Sequence, residues 1–138
     1  MAAAADLRAH GRPLLDDGEF RRRIAQLETD IKALEITQLR VLSAQKAGES
    51  KQDPLTAVLK VKGTELLQAT SELVMDTGGP LSMPDWAQEL AALSNEPELG
   101  PAWATEATRS YLMLRAASIY GGTNEIMKNI VSKAVLGL

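Results

Sequence analysis

The residues best suited to chemistry lie together in Ile119-Tyr120-Gly121-Gly122-Thr123-Asn124-Glu125-Ile126-Met127. An apolar segment ends at Tyr120, two glycines follow, and Thr123-Asn124-Glu125 opens a new apolar-periodic run. That is the pattern of a tight turn feeding a helix N-terminus. Paired glycines allow positive φ and let another molecule approach the backbone closely, while the first N–H groups of a helix favour an anion or a hydrogen-bond acceptor. The turn is therefore either a ligand cradle or a capped corner. A second glycine pair stands in Asp76-Thr77-Gly78-Gly79-Pro80, where the ordinary role is to end a long helix. Two other groups are weaker candidates. Asp16-Asp17 reads as an N-terminal cap rather than a cation site, because adjacent carboxylates do not converge on one ion without further ligands. Arg21-Arg22-Arg23 has Glu19, Glu28 and Asp30 nearby, so it reads as a solvated or subunit-facing surface, with a phosphate contact as the alternative.

The composition bounds what these residues can belong to. A chain of 138 residues suffices for one domain with a real core. An apolar fraction of 45% with only 4% aromatics, rich in Ala and Leu, points to an all-α domain. The net charge of −3 with interspersed signs leaves no footprint for nucleic acid or an anionic membrane. There is no cysteine, which excludes disulfides and thiolate chemistry and suits a cytoplasmic protein. With His10 as its one histidine, a multi-histidine metal site is not expected. The Ala-rich start does not read as a signal peptide, and no segment is expected to span a bilayer.

The elements that must hold the candidate residues follow from apolar spacing. Residues 1–18 read as an arm or loop, and residues 19–138 as a helical domain. From Glu19 to about Ala47, Phe20, Ile24, Leu27, Ile31 and Leu34 recur at steps of four and three and draw one stripe along a helix. Ile36, Leu39, Val41 and Leu42 broaden that stripe, which predicts burial on more than one side, and Gln38 falls on the projected seam. Asp53-Pro54 restarts a helix that runs to about Met75. Its interior Gly63 predicts close packing against a neighbour, and Lys60 and Lys62 are placed to snorkel past apolar surface. A long excursion is expected at about 76–102, anchored by Trp86 and Trp103, with a short helix around Trp86 to Leu93. Helices from about Ala102 to Ile119 and from Thr123 to about Leu136 complete an up-and-down four-helix bundle.

At this point the motifs resemble a known family. The run from Ile119 to Leu138 is similar to the end of an acyl-CoA dehydrogenase, a Tyr-(Glu or Gly)-Gly-(Thr or Ser)-x-(Gln or Glu)-Ile stretch followed by a basic, Ile-rich helix. Gly11-Arg12-Pro13-Leu14 resembles the family's Phe-Gly-x-Pro-Leu segment, Phe20 to Ala47 resembles its next long helix, and Gly78-Gly79 stands where the family has a Phe-Gly-Gly turn. The resemblance covers the C-terminal four-helix domain and not the N-terminal helical or central β domains.

The resemblance implies α,β-dehydrogenation of an acyl-CoA thioester with FAD, in fatty acid metabolism, by a homo-oligomer, a dimer or tetramer built on this domain. It makes Thr123, Asn124 and Glu125 flavin contacts and Gly122 a substrate-adjacent glycine. Gly78 and Gly79 become a turn near the adenine end of a neighbouring subunit's FAD. The family's Arg before Phe-Gly aligns with Leu7, Arg8 is adjacent and could replace it, and the Phe itself is His10. In place of the family's Gln before its glycine turn stand Met75 and Asp76. Gly121 occupies the position of the Glu that serves many members as base, so no catalytic residue is matched; other members carry that Glu on a helix before the Phe-Gly segment. The alternative is a non-catalytic helical interaction module, or the partner subunit of a hetero-oligomeric dehydrogenase.

Overall fold

The computed structural model describes residues 8–9, 12–47, 54–83 and 101–137. The fold is all-α, with four principal helices among the described residues, α1 (Gly18–Lys46), α2 (Pro54–Gly78), α3 (Ala102–Leu114) and α4 (Asn124–Leu136). A two-residue antiparallel bridge of β1 (Arg8–Ala9) with β2 (Arg12–Pro13) precedes them. A 3-10 turn, Leu14–Asp16, leads into α1. Asp17 rather than Asp16 is the cap, its Oδ1 accepting from the Phe20 N–H at 2.8 Å, which satisfies one of the orphan donors of the first turn.

The chain divides into two compact units. In the first, the start of α1 to Ala25, α2 from Gln68 and α3 contribute Phe20, Leu73, Ala104 and Ala107 to the core. Arg23 pairs with Asp76 at 2.8 Å. The Arg115 guanidinium, at the end of α3, donates to Tyr111 O, Gln68 O and Ser71 Oγ and lies 4.2 Å from the centroid of the Tyr111 ring, a favourable cation–π distance. In the second unit, the rest of α1, the first part of α2 and α4 bury Val41, Ala57, Val61 and Ala117. On α2, the buried residues Ala57, Val61, Thr64 and Ser71 and the half-buried Gln68 follow steps of four and three, one helical stripe whose later half is polar.

Several expectations change. The second half of α1 is not buried on more than one side: Val41 is 4% exposed, but Ile31, Ile36, Leu39 and Leu42 are 46–59% exposed. Leu34 is half-buried, and Gln38 is exposed and needs no buried partner. Apolar identity favours burial without guaranteeing it, because covering a stripe requires a second surface. α2 runs past Met75 through Asp76, Thr77 and Gly78 and ends at the glycine pair, where it passes into a 3-10 turn, Gly79–Ser82. These residues have no proline within the turn preceding Pro80, so the backbone ladder continues until Gly79 takes φ 51°. Likewise α3 ends at Leu114 and continues as a 3-10 turn, Arg115–Ser118, rather than as α-helix to Ile119. Gly63 has an ordinary neighbour, since a Cβ there would lie 3.9 Å from Leu34 Cδ2. Trp103 is half-buried. His10, Gly11, Asp53, Trp86 and the short helix expected near it lie outside the described residues.

Candidate functional site

The glycine corner is built as its sequence requires. Ile119 and Tyr120 both donate backbone N–H groups to Ala116 O, at 2.9 and 3.1 Å. Gly121 and Gly122 then take φ of 68° and 95°, a region that costs an L-residue roughly 1–2 kcal/mol. A Cβ at Gly121 would meet nothing within 4 Å, whereas one at Gly122 would collide with Met127 Cε. Positive φ is thus the reason for glycine at both positions, since the Met127 methyl is the movable end of a flexible side chain.

Thr123 is the N-cap of α4, with φ −67° and ψ 153°, and its hydroxyl accepts from the Ile126 N–H at 3.3 Å. The α-helix proper therefore begins at Asn124, one residue after Thr123. Glu125 is exposed, and its carboxyl is held below the ordinary range first by a hydrogen bond from its own backbone N–H, then by the Thr123 hydroxyl and the nearby Lys128. Thr123 can accept from Ile126 and donate to Glu125 at once, because a hydroxyl does both. The positive end of α4 thus already has a carboxylate.

Asn124 faces the other way. It is 7% exposed, and its Oδ1 lies 3.1 Å from Thr64 Oγ1 of α2. Thr64 also reaches Val61 O at 2.9 Å, and Lys60 Nζ donates to Ala117 O at 2.6 Å. Within the second unit, therefore, Gly121, Gly122, Thr123 and Glu125 share the corner, while Asn124 ties its base to α2. Sequence reasoning missed Lys60 and Thr64 as parts of the corner. Residues 55–67 also hold Thr56, Lys62 and Glu65, so no local signal singled out Lys60 and Thr64.

The other glycine pair belongs to the first unit. Gly78 is buried at the end of α2, and a Cβ there would overlap Ser82 Oγ and approach Ala104 Cβ to 3.4 Å. Ser82 is 0% exposed and its hydroxyl has no hydrogen-bond partner, while Thr108 donates to its carbonyl. Gly79 has positive φ and open space beside it. Gly78 consequently has an internal packing reason to be glycine, and Gly79 a backbone one. Arg8 lies in β1. No group of three or more His, Asp or Glu residues that could hold a metal occurs among the described residues, and no helix among them is long and apolar enough to cross a membrane.

Comparison with known proteins bears on the family. The chain is 30% identical over 123 residues to the acyl-CoA dehydrogenase IpdE1 of Mycolicibacterium smegmatis, covering 89% of this chain and 26% of that protein. It is 30% identical over 125 residues to the acyl-CoA dehydrogenase IpdE1 of Mycobacterium tuberculosis, covering 89% of this chain and 28% of that one. It thus spans about a quarter of the length of these curated relatives. No solved structure matches it. The family model for the acyl-CoA dehydrogenase C-terminal domain matches residues 1–136, and with the four-helix fold this places the chain in the acyl-CoA dehydrogenase family, as its C-terminal domain.

Proposed function

We propose that this domain supplies the flavin-facing corner and a subunit-facing surface of an acyl-CoA dehydrogenase carrying out α,β-dehydrogenation of an acyl-CoA thioester. The observation that carries the reading is the Gly121-Gly122-Thr123 corner, with positive φ at both glycines, open space at Gly121 and a capped helix behind it. Acyl-CoA dehydrogenases are generally flavin-dependent, and the corner fits part of FAD: backbone can approach closely at Gly121, and Thr123 offers a hydroxyl. When bound, the flavin accepts the hydride that leaves the acyl chain. The Glu125 carboxylate already occupies the positive helix end, so this corner gives FAD hydrogen bonding rather than neutralisation of charge. Buried Asn124 contributes by fixing the corner, and Thr123, Glu125 and the Gly121-Gly122 backbone form the contact surface. Gly122 lies beside the acyl-CoA. Gly78, Gly79 and Arg8 belong to the adenine side of the same reading. Gly121 has no group to accept a proton, so the base comes from outside this domain.

Association with further copies, in a cytoplasmic oligomer, is part of the proposal. Ile36, Leu39 and Leu42 recur every three residues along α1 and are 54%, 59% and 46% exposed, a stripe that a second subunit would cover. Gly121 favours one other reading, in which a related dehydrogenase subunit supplies the base in a hetero-oligomer.

A chimera tests the proposal. The C-terminal quarter of the M. smegmatis relative is replaced by this chain, and bound FAD and assembly size are measured beside the parent. Retention of FAD at the parent's size supports the reading. A chimera that assembles like the parent without FAD refutes it.

A further inference from the structure

The corner's own hydrogen bonds, at Ala116 and Thr123, hold its flanks and not the two glycines between them. Gly121 and Gly122 are the two residues of the chain with the widest backbone freedom at that point, and neither side chain exists to hold them. What lies on either side of them is held from α2. Upstream, Ala117 is 1% exposed and its carbonyl accepts from Lys60 Nζ. That carbonyl belongs to the last 3-10 turn before the corner, where helical partners have run out. Downstream, Asn124 meets Thr64, and both are at least nine-tenths buried.

Proton accounting sharpens the downstream contact. Thr64 has one hydroxyl proton and two nearby acceptors, Val61 O and the Asn124 amide oxygen. With that proton on Val61 O, turning the Asn124 amide so that its NH2 faces Thr64 satisfies both bonds, since Asn oxygen and nitrogen are interchangeable by a flip. Thr64 then receives from Asn124 and donates to its own helix. The contact needs a hydroxyl, and a group of the same shape without one leaves a buried amide unpaired.

We infer that Lys60 and Thr64 are positioning residues for the Gly121-Gly122 corner, clamping it to α2 at Ala117 and Asn124. Its consequence for a cofactor rests on the flavin reading above; the clamp itself does not. Amide hydrogen exchange on the full chain tests it. Ile119, Tyr120, Ile126 and Met127 carry the reporting amides, since each is hydrogen-bonded at the corner or in the first turn of α4. Thr64→Val and Lys60→Met should raise their exchange rates about tenfold, with the amides of Ala104 and Ala107 unchanged. Thr64→Ser, which keeps the hydroxyl, and Lys60→Arg, which keeps a cationic donor, should restore protection. Unchanged corner rates, or an equal rise in both units, would overturn the clamp.

The chimera separates the clamp from the cofactor. If it holds FAD, Thr64→Val should weaken FAD retention and Thr64→Ser should not; equal retention in both refutes the functional role of the clamp. If the assembled chimera holds no FAD while the exchange result stands, the flavin reading fails and the clamp survives.

Discussion

Gly78→Ala is the substitution whose outcome the packing fixes most closely. In an exposed helix it would stabilise, by about 1 kcal/mol, because alanine loses less backbone freedom than glycine. Here the new methyl would overlap Ser82 Oγ, with Ser82 Cβ at 3.1 Å and Ala104 Cβ at 3.4 Å from it. Ser82 and Ala104 are both 0% exposed, so neither can swing into solvent. Overpacking of this kind costs about 1–3 kcal/mol, which offsets the helix gain and leaves a net loss of up to about 2 kcal/mol. Ser82→Ala removes the overlapping oxygen, and that oxygen makes no hydrogen bond, so the single change should be close to neutral. The double variant should recover part of the loss, a coupling between the two sites of about 0.5 kcal/mol or more but smaller than the loss itself. Recovery stays partial because Ser82 Cβ remains close. Urea unfolding midpoints for the parent, both single variants and the double variant give the cycle directly, provided the slope is constant. A Gly78→Ala variant more stable than the parent, or one indifferent to Ser82→Ala, would refute the packing argument.

Three further outcomes follow from single sites. Gly63→Ala should be tolerated and should raise stability by up to about 1 kcal/mol in urea melts, because its Cβ would make only ordinary contact with Leu34 at 3.9 Å. Glu125 has a folded-state pKa below its unfolded value near 4.5, so its contribution is complete above that pH and is lost as pH falls through the lowered folded value. Glu125→Gln should accordingly flatten the acid limb of stability against pH, and an unchanged limb would argue against the hydrogen bonds at the α4 start. Arg115→Lys should cost about 1–2 kcal/mol in thermal or urea unfolding, because an ammonium cannot reproduce the fork that reaches Tyr111 O, Gln68 O and Ser71 Oγ together.

Much of the fold was legible because it is written in local terms. Steps of four and three from Phe20 onward, Pro54 at a helix start and Thr123 before an apolar run each act within one or two helical turns, so neighbours in sequence suffice to read them. The position of the corner was legible for the same reason: two glycines before a polar helix start specify a turn without reference to anything distant. Tertiary structure decided what local pattern could not encode. Ile31, Ile36 and Leu39 have the same apolar character as Val41, yet only Val41 is buried, because burial depends on which surface arrives opposite. Gly78 ends its helix as the glycine pair suggested, but only the fold shows that its space is shared with Ser82, twenty-two residues before the Ala104 that completes the crowding. Asn124, grouped by sequence with Thr123 and Glu125, is turned inward to a threonine sixty residues away. Sequence alone determined where the corner lies and which residues give it freedom; the fold determined which of its side chains remain free to meet a ligand, because only the packing of α2 against its base assigns each one a direction.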